Sequence, residues 1–313
     1  MSAPDKALLR LCGINGITIE NYGETAMGIG FIGAGKVASS FGRYLHGLGV
    51  DIGGYYDRNR DKTILAADST ESAAFMDAAS LAANCDIIFI TTRDDQITGA
   101  CEALCSGGAV MKHHSIGHMS GAHSSEILVS ARDLGASVFS LHPLQAFADG
   151  KKAMKELPDT YFSLEGEDAA LIKMERMLKQ IGNPYFKIKA EHKSLYHLSA
   201  VIFSNYLITL IDSGLDALEN SGIDRINGFA AMKPLIMGTI ANIAAMGTEK
   251  ALTGPIARGD SGTIETHLTA LDELNLTELK SFYKYMGTKT IALAEKSALH
   301  APEKAAALRR LME

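Results

Sequence analysis

The sequence predicts an α/β protein in which a doubly wound parallel sheet is followed by an all-α domain. Short apolar segments alternate with helical segments over residues 27–190, and such alternation is typical of a parallel sheet covered by helices on both faces. Over residues 191–313 the apolar side chains recur at helical spacing, with few strand candidates. Residues 1–26 are an N-terminal extension, for which an added strand, a loose tail and an upstream start codon all remain open.

The first domain alternates strand and helix from its beginning. Strands are predicted at 28–32, 50–56, 85–91, 109–113, 137–141, 161–164 and 185–188, and helices at 37–48, from after residue 61 to about 67, at 96–105 and at 124–134. In the second domain, helices are predicted at 193–221, 227–246, 263–274 and 278–298. A chain of 313 residues exceeds one typical domain of about 100–150 residues, so two domains are expected.

Composition favours a globular protein that acts on a small molecule. Hydrophobic residues make up 47% and charged residues 21% of the chain, and the net charge is −6 with no basic block. Nucleic acid is therefore an unexpected partner, since phosphate backbones are neutralised by clustered Lys and Arg. The sequence contains no uninterrupted apolar run of about 18 residues, so no membrane span is expected. Four scattered cysteines without a CxxC pair suggest a reducing compartment, and we expect a cytoplasmic protein.

A glycine-rich turn follows the first predicted strand. Two GxGxx(G/A) patterns overlap, Gly28–Gly33 and Gly33–Ala38, and the later one lies between strand and helix, where a dinucleotide pyrophosphate binds. Gly33 would make the tight turn, Gly35 would admit the pyrophosphate, and the helix amino end would hold its charge. The residues expected to contact the cofactor through this turn are Gly33, Ala34, Gly35, Lys36 and Val37. A Rossmann domain that binds NAD or NADP is therefore predicted.

The end of the second strand carries groups that bear on cofactor choice. Asp57 stands where a carboxylate accepts hydrogen bonds from the ribose hydroxyls of NAD. Arg58, Arg60 and Lys62 follow it, and a guanidinium group there can hold the 2′-phosphate of NADP instead. A solvated charged turn also fits this segment. NAD and NADP both remain open, with Asp57 and Arg58 as the residues concerned.

Several longer motifs resemble a known family. They are Gly30–Val37, Ser120-Gly121, Ser140–Phe147, Lys193–His197 with Ser204–Tyr206, and Gly254–Asp260 with Thr263 and His267-Leu268. With these motifs the chain resembles the predicted short-subunit dehydrogenase-like oxidoreductases, in which a Rossmann domain precedes a helical domain of unknown function. One departure is Arg93, where the family pattern would have proline.

The resemblance implies a wider kinship with 6-phosphogluconate dehydrogenase-like, ketopantoate reductase-like and pyrroline-carboxylate reductase-like enzymes. It implies a homodimer formed through the helical domain and a substrate site in a cleft between the domains. Thr91, which ends a predicted strand, and Thr92 and Ser115, which follow predicted strands, are expected to contact the cofactor. Ser120 and Gln145 are expected to contact the substrate.

Hydride transfer to a carbonyl or imine requires a proton donor or hydrogen-bond donor beside the nicotinamide. Lys193 and His197 are spaced i, i+4 on one helix face, and Asn205 lies further along the same helix. His142 closes a strand at the carboxyl edge, where ligands bind in open α/β sheets. We therefore predict catalytic roles for His142, Lys193, His197 and Asn205, although a polar surface helix end and a loop-capping histidine fit the same residues.

Arg258 and Asp260 follow the Gly254-Pro255 helix break. An arginine presented there could clamp a carboxylate or phosphate with two hydrogen bonds, so both residues are assigned to substrate binding, with a structural salt bridge as the alternative. A histidine cluster at 113–123 contains an HxxxH spacing but no nearby acidic or cysteine ligand, so no metal site is predicted. Tyr185 and Lys189 spell YxxxK in a predicted strand, and that pattern is discarded.

The predicted function is an NAD(P)-dependent oxidoreductase acting on a small polar carbonyl, 2-hydroxy acid or imine. The alternative is a catalytically silent dinucleotide-binding sensor that has kept the cofactor turn. Retention of Lys193, His197 and Asn205 favours the enzyme, because a sensor needs no proton donor.

Overall fold

The computed structural model describes residues 28–147 and 154–313. The predicted N-terminal extension lies outside the described residues. The chain divides into two compact units, the first ending at Ala200 and the second running from Val201 to Glu313. The division predicted from the sequence follows residue 190.

The first unit is built on one mainly parallel sheet, which confirms the predicted fold class. Among the described residues its strands are β1 Ile29–Ile32, β2 Ile52–Tyr56, β3 Ala73–Ala74, β4 Ile87–Ile90, β5 Ser115–His118, β6 Ser137–Pro143, β7 Phe162–Gly166 and β8 Tyr185–Lys187. Their order is β3-β2-β1-β4-β5-β6-β7-β8. All neighbours are parallel except β6 and β7, which are antiparallel. The reversal of order beside β1 puts a ligand crevice at the carboxyl ends of β1 and β4.

Helices cover both faces of this sheet. They are α1 Lys36–Gly47, α2 Arg60–Asp68, α3 Ala78–Ala82, α4 Ile97–Ser106, α5 Val129–Asp133, α6 Asp168–Ile181 and α7 Lys193–Val201. One face holds a core of stacked aromatic rings, in which Phe31 contacts Tyr55, Phe41 and Phe89. The other face holds aliphatic side chains such as Ile88, Ile90 and Ile116. The apolar strands are thus buried on both sides, as expected in a doubly wound sheet.

One predicted strand was wrong. The fourth predicted strand was placed at 109–113, whereas the strand observed in this part of the chain is β5, Ser115–His118. Its four residues are all buried, yet the segment Ser-Ile-Gly-His contains one large apolar side chain, so its burial leaves little trace in hydropathy. The predicted helix at 124–134 begins as a 3₁₀ segment, Ser125–Leu128, before α5.

The second unit is helical, as predicted. A π-helical segment, Ile202–Tyr206, precedes α8 Leu207–Asn220, α9 Arg225–Ala251, α10 Pro255–Arg258, α11 Ser261–Glu273, α12 Thr277–Ala294 and α13 Pro302–Met312. The short α10 and the terminal α13 were not predicted. The last four helices share a small core that includes Ile264, Ile291 and Leu308.

Helices α8 and α9 expose apolar side chains. In α8 no residue is buried, and in α9 only Gly228 is. Leu235 is 67% exposed, Ile208 67% and Ile226 84%. The helical runs Ala190–Asn220 and Arg225–Arg258 are long and apolar enough, by length and composition alone, to cross a membrane. The second unit therefore carries an extended apolar surface that its own residues leave uncovered.

Candidate functional site

The turn between β1 and α1 contains two glycines that are present for different reasons. Gly33 has a φ of +101°, and a Cβ there would lie 2.9 Å from the Thr91 backbone, so the fold itself requires glycine. Gly35 has a φ of −75° and would meet nothing within 4 Å if it carried a Cβ. Packing therefore does not explain Gly35, whereas the close approach of a pyrophosphate does. Gly30, from the earlier overlapping pattern, lies within β1 against Leu81 and Cys85.

The same turn leaves the start of α1 without a side-chain cap. Lys36 is the first residue of α1, and Val37 packs half-buried against the aromatic core. Uncapped N–H groups at a helix amino end favour an anion. The turn therefore fits the diphosphate of a dinucleotide in both shape and charge.

Neighbouring strands hold the turn in place. Thr91, which follows β4, donates from its hydroxyl to the Gly33 carbonyl over 2.8 Å. Asp57, which follows β2, accepts from the Ala34 N–H over 2.8 Å with one carboxylate oxygen and from the Asn59 N–H over 2.8 Å with the other. Both Thr91 and Asp57 thus support the loop itself, and Asp57 has fewer lone pairs left for a ribose than the sequence suggested.

The cations after β2 differ in how they are used. Arg60 donates to the carbonyls of Ala74 and Phe75, which ties α2 to the segment after β3. Arg58 is exposed and makes no hydrogen bond or ion pair within residues 28–147 and 154–313. Arg58 is therefore the guanidinium group at this strand end that is available to a ligand.

At the carboxyl ends of β4 and β5, two loops are joined by hydrogen bonds. Ser120 donates to Asp94 over 2.9 Å and accepts from the Ala122 N–H. His118, fully buried, accepts from the Ser120 N–H and has its Nε2 3.1 Å from the Ser124 carbonyl, so it carries its proton on Nε2. Burial lowers the pKa of His118 to about 4. His118 therefore shapes the loop as a neutral ring, and Ser120 lies within it, 6% exposed.

Lys193 is a buried cation beside the end of β6. Its side chain is 1% exposed, and Nζ donates to the Ser140 hydroxyl over 2.7 Å. Glu165 lies directly across the β6–β7 pair from Ser140 and is itself buried, accepting from the N–H and hydroxyl of Ser125. Burial lowers the pKa of Lys193 to about 8, and the charge of Glu165 opposes that shift. At neutral pH the site thus contains a buried ammonium group.

His142 lies two residues beyond Ser140 on β6. Its Nδ1 is 2.7 Å from the hydroxyl of Tyr196 on α7, and its ring lies edge-on to that of His197, with centroids 6.4 Å apart. Burial, with the neighbouring Lys193 charge, lowers the pKa of His142 to about 3. The imidazole of His142 is therefore neutral at physiological pH.

Gly121 closes this cluster from the loop after β5. A Cβ on Gly121 would lie 2.8 Å from Nε2 of His142 and 2.8 Å from Nδ1 of His197. The buried Nδ1 of His197 has no hydrogen-bond partner among the described residues. The structure thus brings the predicted His142, Lys193 and His197 together at the carboxyl edge of the sheet.

Other predicted site residues have structural partners or lie elsewhere. Ser115 is the first residue of β5 and shares a hydrogen bond with Ser137. Because the predicted strand was misplaced, Ser115 stands at the amino end of β5, about 10 Å along the strand from the ligand edge. Its contact with the cofactor stays a prediction that this position does not support. Gln145 bonds to Glu156 and Thr160. The side-chain hydroxyl of Thr92 donates to the Arg93 carbonyl over 3.4 Å.

Three predicted residues lie in the second unit. Asn205 is exposed in the π-helical segment, a local geometry often found at functional sites. Asp260 caps α11, accepting from the N–H and hydroxyl of Thr263, and Arg258 is exposed at the end of α10. The geometry gives Asp260 a structural role as a helix cap.

Sequence reasoning missed two members of the cluster. Tyr196 lies inside the motif that contains Lys193 and His197, but its partner on β6 is 54 residues away, so local spacing gave no signal for it. Gly121 was part of a quoted motif without an assigned role. A glycine next to the buried Ser120, after a strand that ends at the ligand edge, is the signal that could have singled it out.

Comparison with known proteins agrees with this architecture. Residues 17–143 match the Rossmann-like domain family, and residues 160–290 match a domain of unknown function, DUF2520. No curated protein matches the sequence.

Three solved structures illustrate the fold. A Bacteroides fragilis protein provisionally described as an NADP oxidoreductase is 19% identical, with a TM-score of 0.66 over 86% of this chain and 98% of its own. A Thermotoga maritima protein is 24% identical, with a TM-score of 0.65 over 91% and 98%. A pyrroline-5-carboxylate reductase of Coxiella burnetii is 15% identical, with a TM-score of 0.56 over 92% and 100%. The chain thus contains a segment that matches the Rossmann-like domain family, followed by a segment that matches DUF2520.

Proposed function

We propose that this chain is an NAD(P)-dependent oxidoreductase that transfers a hydride to or from a small polar substrate. The observation that carries the proposal is Gly35, where the fold leaves room for a side chain that the sequence does not supply. A bound pyrophosphate accounts for that room, and the uncapped start of α1 would hold its charge. The similarity to a pyrroline-5-carboxylate reductase and to a protein described as an NADP oxidoreductase supports the same reading.

The cofactor would supply the hydride, and the side chains at the carboxyl edge would bind and orient the reacting group. A carbonyl gains negative charge as it accepts hydride, so donors near its oxygen stabilise the transition state. His142 is neutral and hydrogen-bonds to Tyr196. The Lys193 ammonium donates a hydrogen bond to Ser140, two residues before His142 on the same strand. A carbonyl, 2-hydroxy acid or imine substrate fits this arrangement of donors.

Burying Lys193 and an unpartnered nitrogen of His197 costs folding free energy, and this cost favours an enzyme over a silent sensor. A buried lysine with a lowered pKa and a buried imidazole nitrogen without a partner both destabilise the folded state. Such features cluster at functional sites. A sensor that only bound the dinucleotide would have no use for Lys193 and His197.

We infer that NADP is the preferred cofactor. Both carboxylate oxygens of Asp57 already accept backbone hydrogen bonds, whereas Arg58 beside it is exposed and available. A guanidinium group in this position binds a 2′-phosphate with two hydrogen bonds. Arg58→Ala should therefore weaken NADPH binding about tenfold and leave NADH binding unchanged, and Arg310→Ala, at an exposed arginine of α13, is the control.

We also propose a homodimer formed through the helical unit. Helices α8 and α9 expose many large apolar side chains, and a large exposed apolar patch marks a surface that binds another protein. A second copy of the chain would cover it. Leu235→Glu should dissociate the dimer, whereas Ile172→Glu, at a 61% exposed position of α6, should not. Sedimentation equilibrium measures the mass. A monomeric wild type would contradict the proposal, as would co-sedimentation of the protein with phospholipid vesicles in place of dimer formation.

A cytoplasmic location remains a prediction from composition.

Turnover is tested by NADPH oxidation with a panel of small carbonyl compounds, 2-oxo acids and cyclic imines. The oxidoreductase proposal expects NADPH consumption with at least one class, and a large loss of rate in His142→Asn. Tight NADPH binding with no consumption of any class would favour the sensor instead.

A further inference from the structure

We propose that Tyr196 is a positioning residue that holds His142 in the Nε2–H tautomer, so that the neutral N–H lies on the edge of the ring that faces Gly121. This inference deepens the proposed function, on which its catalytic meaning rests, by assigning the donor to one ring nitrogen. The hydrogen bond between Tyr196 and His142 Nδ1, 2.7 Å long, is its starting point.

The direction of that hydrogen bond follows from what else the two groups can reach. If His142 donated from Nδ1, the Tyr196 hydroxyl would need another acceptor for its own proton. The other hydroxyl beside Tyr196 is that of Ser163, opposite His142 on β7 and a hydrogen-bonding neighbour of the phenol. The buried Oγ of Ser163 has no other partner among the described residues, so its own proton needs the phenol oxygen as acceptor. If Tyr196 donates to Nδ1, its proton is satisfied. The proton of a neutral His142 must then be on Nε2.

The Tyr196 phenol and the His142 imidazole each keep the protonation state that this hydrogen-bond direction requires. Burial raises the pKa of Tyr196, so the phenol keeps its proton at neutral pH. The ionisable groups facing His142 are Lys193, His197 and His118, and positive charge on any of them opposes a second proton on the ring. The His142 ring therefore carries one proton, and Tyr196 determines which nitrogen bears it.

The Nε2 edge of His142 packs against Gly121. A Cβ on Gly121 would be 2.8 Å from both His142 Nε2 and His197 Nδ1, so no residue larger than glycine fits between the two rings. Nδ1 of His197 is buried and has no partner within the described part of the chain. The Nε2–H of His142 and the unpartnered Nδ1 of His197 therefore lie beside the same glycine.

The experiment is nitrogen-15 NMR of the imidazole rings in the full-length protein at pH 7, without cofactor or substrate. In the wild type, His142 should show a protonated Nε2 and an unprotonated Nδ1. In Tyr196→Phe, which keeps the ring but removes the hydroxyl, His142 should become a mixture of tautomers. His118, fixed by Ser120 and Ser124, is the internal reference and should keep its Nε2–H form in both proteins.

Two results would overturn the proposal: a wild-type His142 protonated on Nδ1, or an unchanged tautomer in Tyr196→Phe. If Tyr196→Phe also loses the His118 signals, the variants Tyr196→Trp and His142→Gln are measured by the same spectra. Loss of the His118 signals in all three variants would assign Tyr196 a packing role instead. Titration of the wild type with NADPH keeps this test separate from the proposed function. A wild type that fails to bind NADPH would refute the proposed function, whereas the tautomer of His142 is measured without cofactor and would still decide the present proposal.

Discussion

Replacing Lys193 with methionine should stabilise the folded protein at neutral pH. Burial lowers the pKa of this lysine from 10.5 to about 8, and at ~1.4 kcal/mol per pKa unit the buried charge costs about 3 kcal/mol. Losing the hydrogen bond to Ser140 offsets about 1.5 kcal/mol of that gain. The net stabilisation of about 1–2 kcal/mol should raise Tm by roughly 2–6 °C.

The cost of burying the Lys193 charge depends on pH, and the direction of that dependence can be worked out. Below pH 8 the lysine is protonated in both the folded and unfolded states, so the full cost of burial is present. As pH rises from 8 to 10.5 the folded state releases its proton first, and the cost disappears. The advantage of Lys193→Met should therefore be largest near pH 7 and mostly lost at pH 10.

Differential scanning calorimetry at pH 7 and pH 10 measures both quantities. Lys179→Met, at an exposed position of α6, is the matched control and should shift Tm by less than about 1 °C, as expected for an exposed substitution of about 0.5 kcal/mol or less. A Lys193→Met protein that melts below the wild type at pH 7, or whose advantage does not change with pH, would refute the reasoning.

Two further predictions concern stability at other positions. The pKa of His118 lies at about 4 in the folded state, so the unfolded state binds protons first as pH falls. The free energy of unfolding should therefore fall by about 3 kcal/mol as pH drops from 6.5 to 4. Urea titrations of His118→Gln should show a weaker dependence on pH, and the same dependence as in the wild type would contradict this prediction. Asp260→Ala removes the cap of α11 and should cost about 1 kcal/mol without changing NADPH affinity. A normal Tm combined with lost turnover would instead make Asp260 a substrate ligand.

The part of the fold that follows from local pattern was predictable. The apolar run of β1, the glycine turn and the helical spacing of α1 lie next to one another in sequence, so their identity needed no tertiary information. β5 was misplaced because its buried residues include serine, glycine and histidine. Short helices such as α10 are held by packing within the helical unit, which single-segment periodicity does not register.

The candidate site also contains some residues that local sequence pattern could identify and others that it could not. His142 could be found because it ends a strand, and Lys193 with His197 because they share a helix face. Tyr196 could not, since its role depends on the approach of α7 to β6. The contrast between Gly33 and Gly35 was also hidden, because two identical residues differ only in what surrounds them in the folded chain.

The central claim is that the turn after β1 holds a dinucleotide, and NADPH binding to Gly35→Ala tests it most directly. Gly47→Ala, at the other end of α1 where a Cβ also meets nothing within 4 Å, is the matched control. Calorimetric titration should show NADPH binding to the wild type and to Gly47→Ala with equal Kd, and at least tenfold weaker binding to Gly35→Ala at nearly unchanged Tm. Equal affinity in all three proteins, or no NADPH binding to the wild type, would contradict the account.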